Sequence, residues 1–309
     1  MLSVIIPSYN EEPMINKTAA VLTKILNEKD ICHELIFVDD GSKDNTWNRI
    51  LEASTPDGKI RGISFSRNFG KESAILAGLA EANGECAVVI DCDLQHPPEK
   101  IPEMYKLWEE GFEIIEGVKS NRGKESALHS LSARVFYKLI GKAAGVDMEN
   151  ASDFKLLDRK AINALLNMRE KYAFFRALSS WIGFRTTSVE FDVREREAGI
   201  SKWSALSLFK YAVSNLTSFS TFPIQIITFL GIITFIISLV LGCIALVQKF
   251  TGVALEGFTT VILIMLFTSS IMMISLGIIG YYIARIYEEI KGRPRYIVSE
   301  KTFDNENNQ

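Results

Sequence analysis

From Phe222 to Val247, and again from Phe258 to Ala284, the chain carries no charged residue. At ~1.5 Å of rise per helical residue, each run outreaches a hydrocarbon core of ~30 Å. Buried core helices are the alternative, but these rarely need more than ~18 uninterrupted apolar residues. Two transmembrane helices are therefore expected within 222–286. The connector from Gln248 to Gly257 is short, and its Lys249 and Glu256 nearly cancel. Lys202 and Lys210 precede the first run, while Arg285, Lys291, Arg293 and Arg295 follow the second. The positive-inside rule then puts both flanks in the cytoplasm and the connector outside, as in a multi-pass protein of the plasma (inner) membrane. Leu206, Phe209, Val213 and Leu216 recur at helical spacing just upstream, which predicts a juxtamembrane amphipathic helix over 204–221. Two placements stay open for it, in the membrane interface or against the preceding domain. The tail, 287–309, is expected in the cytoplasm, with Glu300 to Gln309 polar and frayed.

Composition agrees with a chain in two parts. A mean hydropathy of +0.13 is high for a sequence that is 23% charged, so a greasy part and a soluble part are implied. A net charge of -3 argues against a nucleic-acid partner, which calls for a basic excess. Cys32, Cys86, Cys92 and Cys243 lack C-x-x-C spacing and read as isolated small apolar residues, not a zinc or disulfide framework. The opening Leu2-Ser3-Val4-Ile5-Ile6 is too short for a signal peptide and lacks a basic lead.

Residues 1–203 alternate short apolar runs with amphipathic stretches. Strands are expected over Leu2–Pro7, Glu34–Val38, Ile60–Ser64, Ala87–Ile90, Glu113–Gly117 and Ser188–Val193. Helices are expected over Glu12–Leu26, Asn45–Ala53, Lys71–Asn83, Glu99–Glu110 and Ser126–Ala144. Such alternation predicts an α/β domain whose sheet is mostly parallel and flanked by helices. Ligands of open α/β sheets bind beyond the carboxyl ends of the strands. Polar clusters fall at those ends: Pro7-Ser8-Tyr9-Asn10-Glu11, Asp39-Asp40-Gly41-Ser42, Arg67-Asn68-Phe69-Gly70-Lys71 and Asp91-Cys92-Asp93. Neither a G-x-G-x-x-G nor a G-x-x-x-x-G-K-[ST] is present, which removes the dinucleotide fingerprint and the P-loop.

Asp91 and Asp93 are carboxylates on alternate residues where a buried strand ends, so both can face one hard cation. Mg²⁺ or Mn²⁺ shares its shell with waters and substrate phosphates in such places. A bare D-x-D is common at turns; the longer run through Asp93-Leu94-Gln95-His96-Pro97-Pro98 is far more specific. Together with Pro7-Ser8-Tyr9-Asn10-Glu11-Glu12 and Asp39-Asp40-Gly41-Ser42 it resembles the signature of family 2 glycosyltransferases of the GT-A fold. Arg67-Asn68-Phe69-Gly70-Lys71, the two apolar runs and Gly292-Arg293-Pro294-Arg295-Tyr296 narrow the resemblance to the polyprenyl-phosphate glycosyltransferases. That group includes dolichol-phosphate mannose synthases and bactoprenol glucosyltransferases. Cys92 departs from the more usual alanine but leaves both carboxylates in place.

The resemblance implies a nucleotide-sugar donor, Mg²⁺ or Mn²⁺, and a polyprenyl-phosphate lipid, with UDP-glucose and undecaprenyl phosphate as the expected pair. Oligomeric state is left open, a homo-oligomer included. Asp91 resembles the residue on the nucleotide side of the donor, and Asp93 and Gln95 resemble metal ligands, with Asp93 catalytic through the metal. Pro7, Tyr9, Glu11 and Asp39 resemble the wall around the nucleotide, joined by Lys71 and Arg194. Asp39-Asp40-Gly41-Ser42 could otherwise be a plain turn that caps the helix at Asn45. Lys119 to Lys142 is strongly basic; a solvated face could explain this, but basic side chains also favour a lipid phosphate at an anionic membrane surface, and by resemblance Arg122, Ser132 and Arg134 contact the acceptor phosphate. The loop Arg194 to Trp203 resembles the family's mobile loop, with Arg196 and Lys202 also toward the acceptor phosphate. Asp153, in Ala151-Ser152-Asp153-Phe154 ahead of an expected helix, is a general base by analogy. Because a lipid phosphate is already mostly ionised near neutral pH, with a second pKa of ~6, Asp153 could instead orient basic residues. A processive polysaccharide synthase and a non-catalytic nucleotide-sugar sensor are the rivals. The first is disfavoured by the absence of a Gln-x-x-Arg-Trp motif, the second by the intact Asp91, Asp93, Arg194, Arg196 and Lys202.

Overall fold

Every side chain of the first strand, Leu2–Ser8 (β1), is buried, and so is every one of His33–Asp39 (β2). A strand buried on both faces needs helices on both faces, and the intervening sequence supplies them. The computed structural model describes residues 1–119, 152–168, 170, 174–192, 222–251 and 257–302. Ile15–Asn27 (α1) buries Ile15, Thr18, Ala19, Leu22 and Leu26, a stripe at helical spacing. Thr46–Ala53 (α2) is anchored by Thr46 and Ile50. Ile60–Phe65 (β3) leads to Lys71–Glu81 (α3), whose Ala74 to Leu79 are all buried. Cys86–Val89 (β4) and Ile101–Glu109 (α4) follow, then Ile114–Lys119 (β5). After Lys155–Asp158 (β6) come Arg159–Asn167 (α5), Phe175–Trp181 (α6) and Thr186–Phe191 (β7).

The six expected strands all form, within two residues of the expected bounds, and the first four expected helices form too, the first of them starting at Ile15, three residues later than expected. The expected helix Ser126–Ala144 lies outside the described residues, as does the expected helix 204–221. One eight-stranded sheet runs in the order β7-β5-β6-β4-β1-β2-β3-β8, the last strand being Val298–Lys301 (β8). β4-β1-β2-β3 are parallel, so their carboxyl ends lie along one edge. From β1 the order proceeds to β2 and β3 on one side and to β4 on the other, the switch point at which ligands seat. β6 runs antiparallel between β4 and β5, making the sheet mixed but mostly parallel.

Two expectations are corrected. The segment after Asp153 is not helical at once: Lys155–Asp158 is a strand, because Leu156 and Leu157 are buried between two neighbours. Asp158 then caps α5, its side chain accepting from the Lys160 N–H. Nor is Glu300 frayed, since β8 pairs antiparallel with β3 and Thr302 receives the Gly62 N–H at 3.0 Å.

Phe222–Phe250 (α7) and Phe258–Ile290 (α8) are helical. Among the described residues one helix is long and apolar enough to cross a membrane, Ile264–Ile290, with a mean hydropathy of 1.9 and no part of its apolar window buried. In α7 the apolar stretch is the shorter Ile227–Leu241. The chain divides into two compact units, Met1–Phe209 with Pro294–Gln309, and Lys210–Arg293.

Candidate active site

The loops beyond β1, β2 and β3 are tied to one another by short polar side chains. Asp39, buried at the end of β2, accepts from the Ser42 N–H at 3.1 Å and from Ser64 Oγ at 2.9 Å. Asp40 accepts from the Phe69 N–H at 2.6 Å and the Gly70 N–H at 2.9 Å. Burial pushes the Asp40 carboxyl up to about 6 against those hydrogen bonds. Gly41, at φ +63, lies so close to the next loop that a Cβ would stand 2.4 Å from the Arg67 carbonyl carbon. The β1 loop joins the same lattice: the Asn10 N–H donates to Ser42 Oγ and the Glu11 N–H to Thr46 Oγ1, each at 2.9 Å. Pro7 lies opposite Val38 in register, and Tyr9 follows it, 38% exposed. Asp39-Asp40-Gly41-Ser42 is thus a turn, and one that also braces two neighbouring loops.

A chain of charge crosses from the β4 end to the segment before β6. Lys71, first residue of α3, places Nζ 2.6 Å from Asp91 Oδ1 and 2.8 Å from Asp153 Oδ2. Arg176 on α6 reaches Asp153 from the other side, Nε to Oδ1 at 2.7 Å, with a second nitrogen 3.0 Å from Oδ2. Burial alone would raise the Asp153 carboxyl, but the Arg176 guanidinium and the Lys71 ammonium outweigh it and hold the group well below the usual carboxylate range. Asp91 is likewise lowered, burial being outweighed by Lys71 and His96. Lys71 is raised, burial being outweighed by Asp153 and Asp91. Glu72 accepts from the Phe175 N–H at 2.8 Å; burial and the Asp153 charge push it up to about 7. His96, buried, lies 3.9 Å from Asp91 and stacks on Phe154 at 5.3 Å.

Asp93 is buried, and its Oδ1 accepts from the Gln95 N–H at 3.1 Å. Cys92 between the two aspartates belongs to the core, with its carbonyl accepting from Thr18 Oγ1 at 2.7 Å. Among the described residues no three His, Cys, Asp or Glu gather as a closed cage. Of the two carboxylates at this strand end, Asp91 is in contact with Lys71, while Asp93 and Gln95 stand together on the loop that follows.

The structure therefore brings Asp91, Lys71 and Asp153 into direct contact, with Asp93 and Gln95 on the loop that follows Asp91. Pro7, Tyr9, Glu11 and Asp39 belong to the adjoining strand ends. Arg122, Ser132, Arg134, Arg194, Arg196 and Lys202 lie outside the described residues. Sequence reasoning missed Arg176, Glu72 and the ring of His96. Arg176 had a signal: a lone cation in the apolar run Phe174-Phe175-Arg176-Ala177-Leu178 must find a partner when its helix is buried.

A mixed, mostly parallel sheet with acidic loops beyond its β1–β4 edge defines a GT-A-like α/β glycosyltransferase. The chain belongs to glycosyl transferase family 2, whose match covers residues 3–166. It is 39% identical over 307 residues to the putative glycosyltransferase CsbB of Bacillus subtilis, covering 99% of this chain and 93% of that one. It is 35% identical over 301 residues to the SfII prophage-derived bactoprenol glucosyl transferase of Shigella flexneri, covering 97% of each chain. A crystal structure of glucosyl-3-phosphoglycerate synthase from Mycobacterium tuberculosis, in complex with Mn²⁺, uridine diphosphate and phosphoglyceric acid, shares the fold. Its TM-score is 0.51 at 21% identity, over 71% of this chain and 78% of that one.

Proposed function

We propose that this enzyme transfers glucose from UDP-glucose to undecaprenyl phosphate, with inversion, at the cytoplasmic face of the membrane. The observation that supports it is the Lys71 ammonium, which contacts both Asp91 and Asp153; in this reading Asp91 faces the donor and Asp153 the acceptor. The likeness to bactoprenol glucosyl transferases over nearly the whole length supports the lipid and the sugar. The apolar Ile264–Ile290 supports a membrane-bound acceptor, and two crossings would return the tail to the catalytic side.

In the reaction an acceptor phosphate oxygen forms a bond to the anomeric carbon, and the bond from that carbon to the diphosphate oxygen breaks. The leaving diphosphate takes the electron pair. With a second pKa of ~6 the attacking phosphate is largely ionised at neutral pH, so no side chain need remove a proton. Asp153 then holds Arg176 and Lys71 where two phosphates meet, and Asp91 sets Lys71 from the donor side. Pro7, Tyr9, Glu11 and Asp39 flank the nucleotide; Arg194 joins them, while Arg122, Ser132, Arg134, Arg196 and Lys202 serve the acceptor phosphate. Asp93 and Gln95 would hold Mg²⁺ or Mn²⁺, which when bound stabilises negative charge on the departing diphosphate.

The test is purified full-length protein with undecaprenyl phosphate, Mg²⁺ or Mn²⁺ and a panel of labelled nucleotide sugars. Label from UDP-glucose should enter the extractable lipid, and excess EDTA or Asp93→Ala should remove nearly all of it. Label from another donor alone would reassign the sugar. No lipid label from any donor would refute the reading.

A further inference from the structure

Gly292-Arg293-Pro294-Arg295-Tyr296 carries no part of the chemistry above, yet it leads into a segment tied to the sheet edge at several points. Gly292, at φ +59, stands in the left-handed conformation that ends α8. Two residues beyond Pro294, the Tyr296 ring stacks on Phe65 at 5.0 Å and 14°. Phe65 in turn meets Phe69 edge-on at 5.8 Å. The Ile297 carbonyl accepts from the Ser66 N–H at 3.0 Å, and the Arg295 carbonyl from Ser73 Oγ at 3.3 Å. The Arg295 guanidinium donates to the Met168 carbonyl just past α5. Apart from that last bond, these contacts fall on residues 65–73, the segment that delivers Lys71.

That segment lacks regular structure between β3 and α3, and Gly70 within it has φ +98. Asp40 holds the Phe69 and Gly70 amides. Glu72 adds a bond from the Phe175 N–H, and the tail adds a further hold through Ser66, Phe65 and Ser73. We propose that Arg295 and Tyr296 are positioning residues: the strap they form fixes the start of α3 and so the place of the Lys71 ammonium between Asp91 and Asp153. The proposal rests on Lys71 serving the transfer described above. It assigns the C-terminal strap a role in catalytic geometry, in addition to closing the sheet edge.

The experiment compares Tyr296→Ala and Tyr296→Phe with wild type in the full-length, detergent-solubilised protein. Amide hydrogen exchange and transfer kinetics are both read. In Tyr296→Ala, the amides of residues 66–73 should exchange roughly tenfold faster, while those of β1 and α1 keep their rates. The kcat should fall roughly tenfold at unchanged KM for lipid, as small misplacements of a reacting geometry do. Tyr296→Phe keeps the stacked ring and should restore both. Unchanged exchange in 66–73, faster exchange throughout β1 and α1, or wild-type kcat in Tyr296→Ala would each overturn the proposal. Should wild type transfer no sugar to lipid, the functional reading fails by itself. The exchange arm then decides the strap: unchanged protection overturns it and loosening confined to 66–73 upholds it.

Discussion

Asp153 lies between two cations, and that placement separates two mechanisms. Lys71 and Arg176 hold its carboxyl well below the usual range despite burial, so it stays ionised from pH 5 to 8 and cannot give the acid limb of a rate profile there. The limb is expected instead from the acceptor phosphate, near ~6. Asp153→Asn should therefore keep the limb, and lose activity chiefly through a raised KM for lipid, because the two cations then repel each other. Glu72, pushed up to about 7, titrates in the same window, and Glu72→Gln is the control that separates it. The measurement is kcat and KM for lipid across pH 5 to 8; a mutant with normal lipid KM, negligible kcat and no limb would restore Asp153 as the base. Asp91 stood out in the sequence within the run Asp91 to Pro98, and Asp153 only by resemblance of the short Ala151-Ser152-Asp153-Phe154. Arg176 was legible only as a cation in need of a partner; that the partner is Asp153, 23 residues away on the chain, no local pattern records.

At the scale of elements, α3 carries Lys71 and is seated by Gly78. A Cβ at Gly78 would stand 2.2 Å from Ile5 Cγ2 and 3.3 Å from Val38 Cγ2. Replacing an interior helical glycine by alanine ordinarily gains ~1 kcal/mol, whereas overpacking a core costs ~1–3 kcal/mol. Ile5 is fully buried in β1 and has nowhere to retreat, so the clash wins. Gly78→Ala is expected to lower stability by ~1–2 kcal/mol, read as an earlier thermal transition in detergent. A later transition would mean that the helix can back away from the sheet. The strands β1 to β5 were legible as short, mostly apolar runs bounded by turn residues, and β7 as an alternation in which Val189 and Phe191 are buried. β6 and β8 were not, because pairing with partners distant in sequence, more than local pattern, makes them strands.

For the whole molecule, the described tail belongs to the same compact unit as the catalytic sheet, although α7 and α8 lie between them in sequence. If the tail shares a side with the sheet, the chain crosses the membrane an even number of times. A cysteine placed at Gly252 should then react with an impermeant reagent from outside the cell, and one at Asn305 should not. Cys32 and Cys243 are exposed and must first be replaced, while the buried Cys86 and Cys92 can stay. Labelling at Asn305 and not at Gly252 would overturn the cytoplasmic placement. The sheet's final strand also imposes an order of events during synthesis. Thr302 meets Gly62 across a separation of 240 residues, so the β3 edge stays bare while the ribosome makes nearly everything else. Domains take shape from the N-terminus as they emerge. A nascent chain can thus assemble β1, β2 and β3 early but gains its strap only after both apolar helices have been translated, and a chain that stops short of Arg295 is born with an unfinished enzyme.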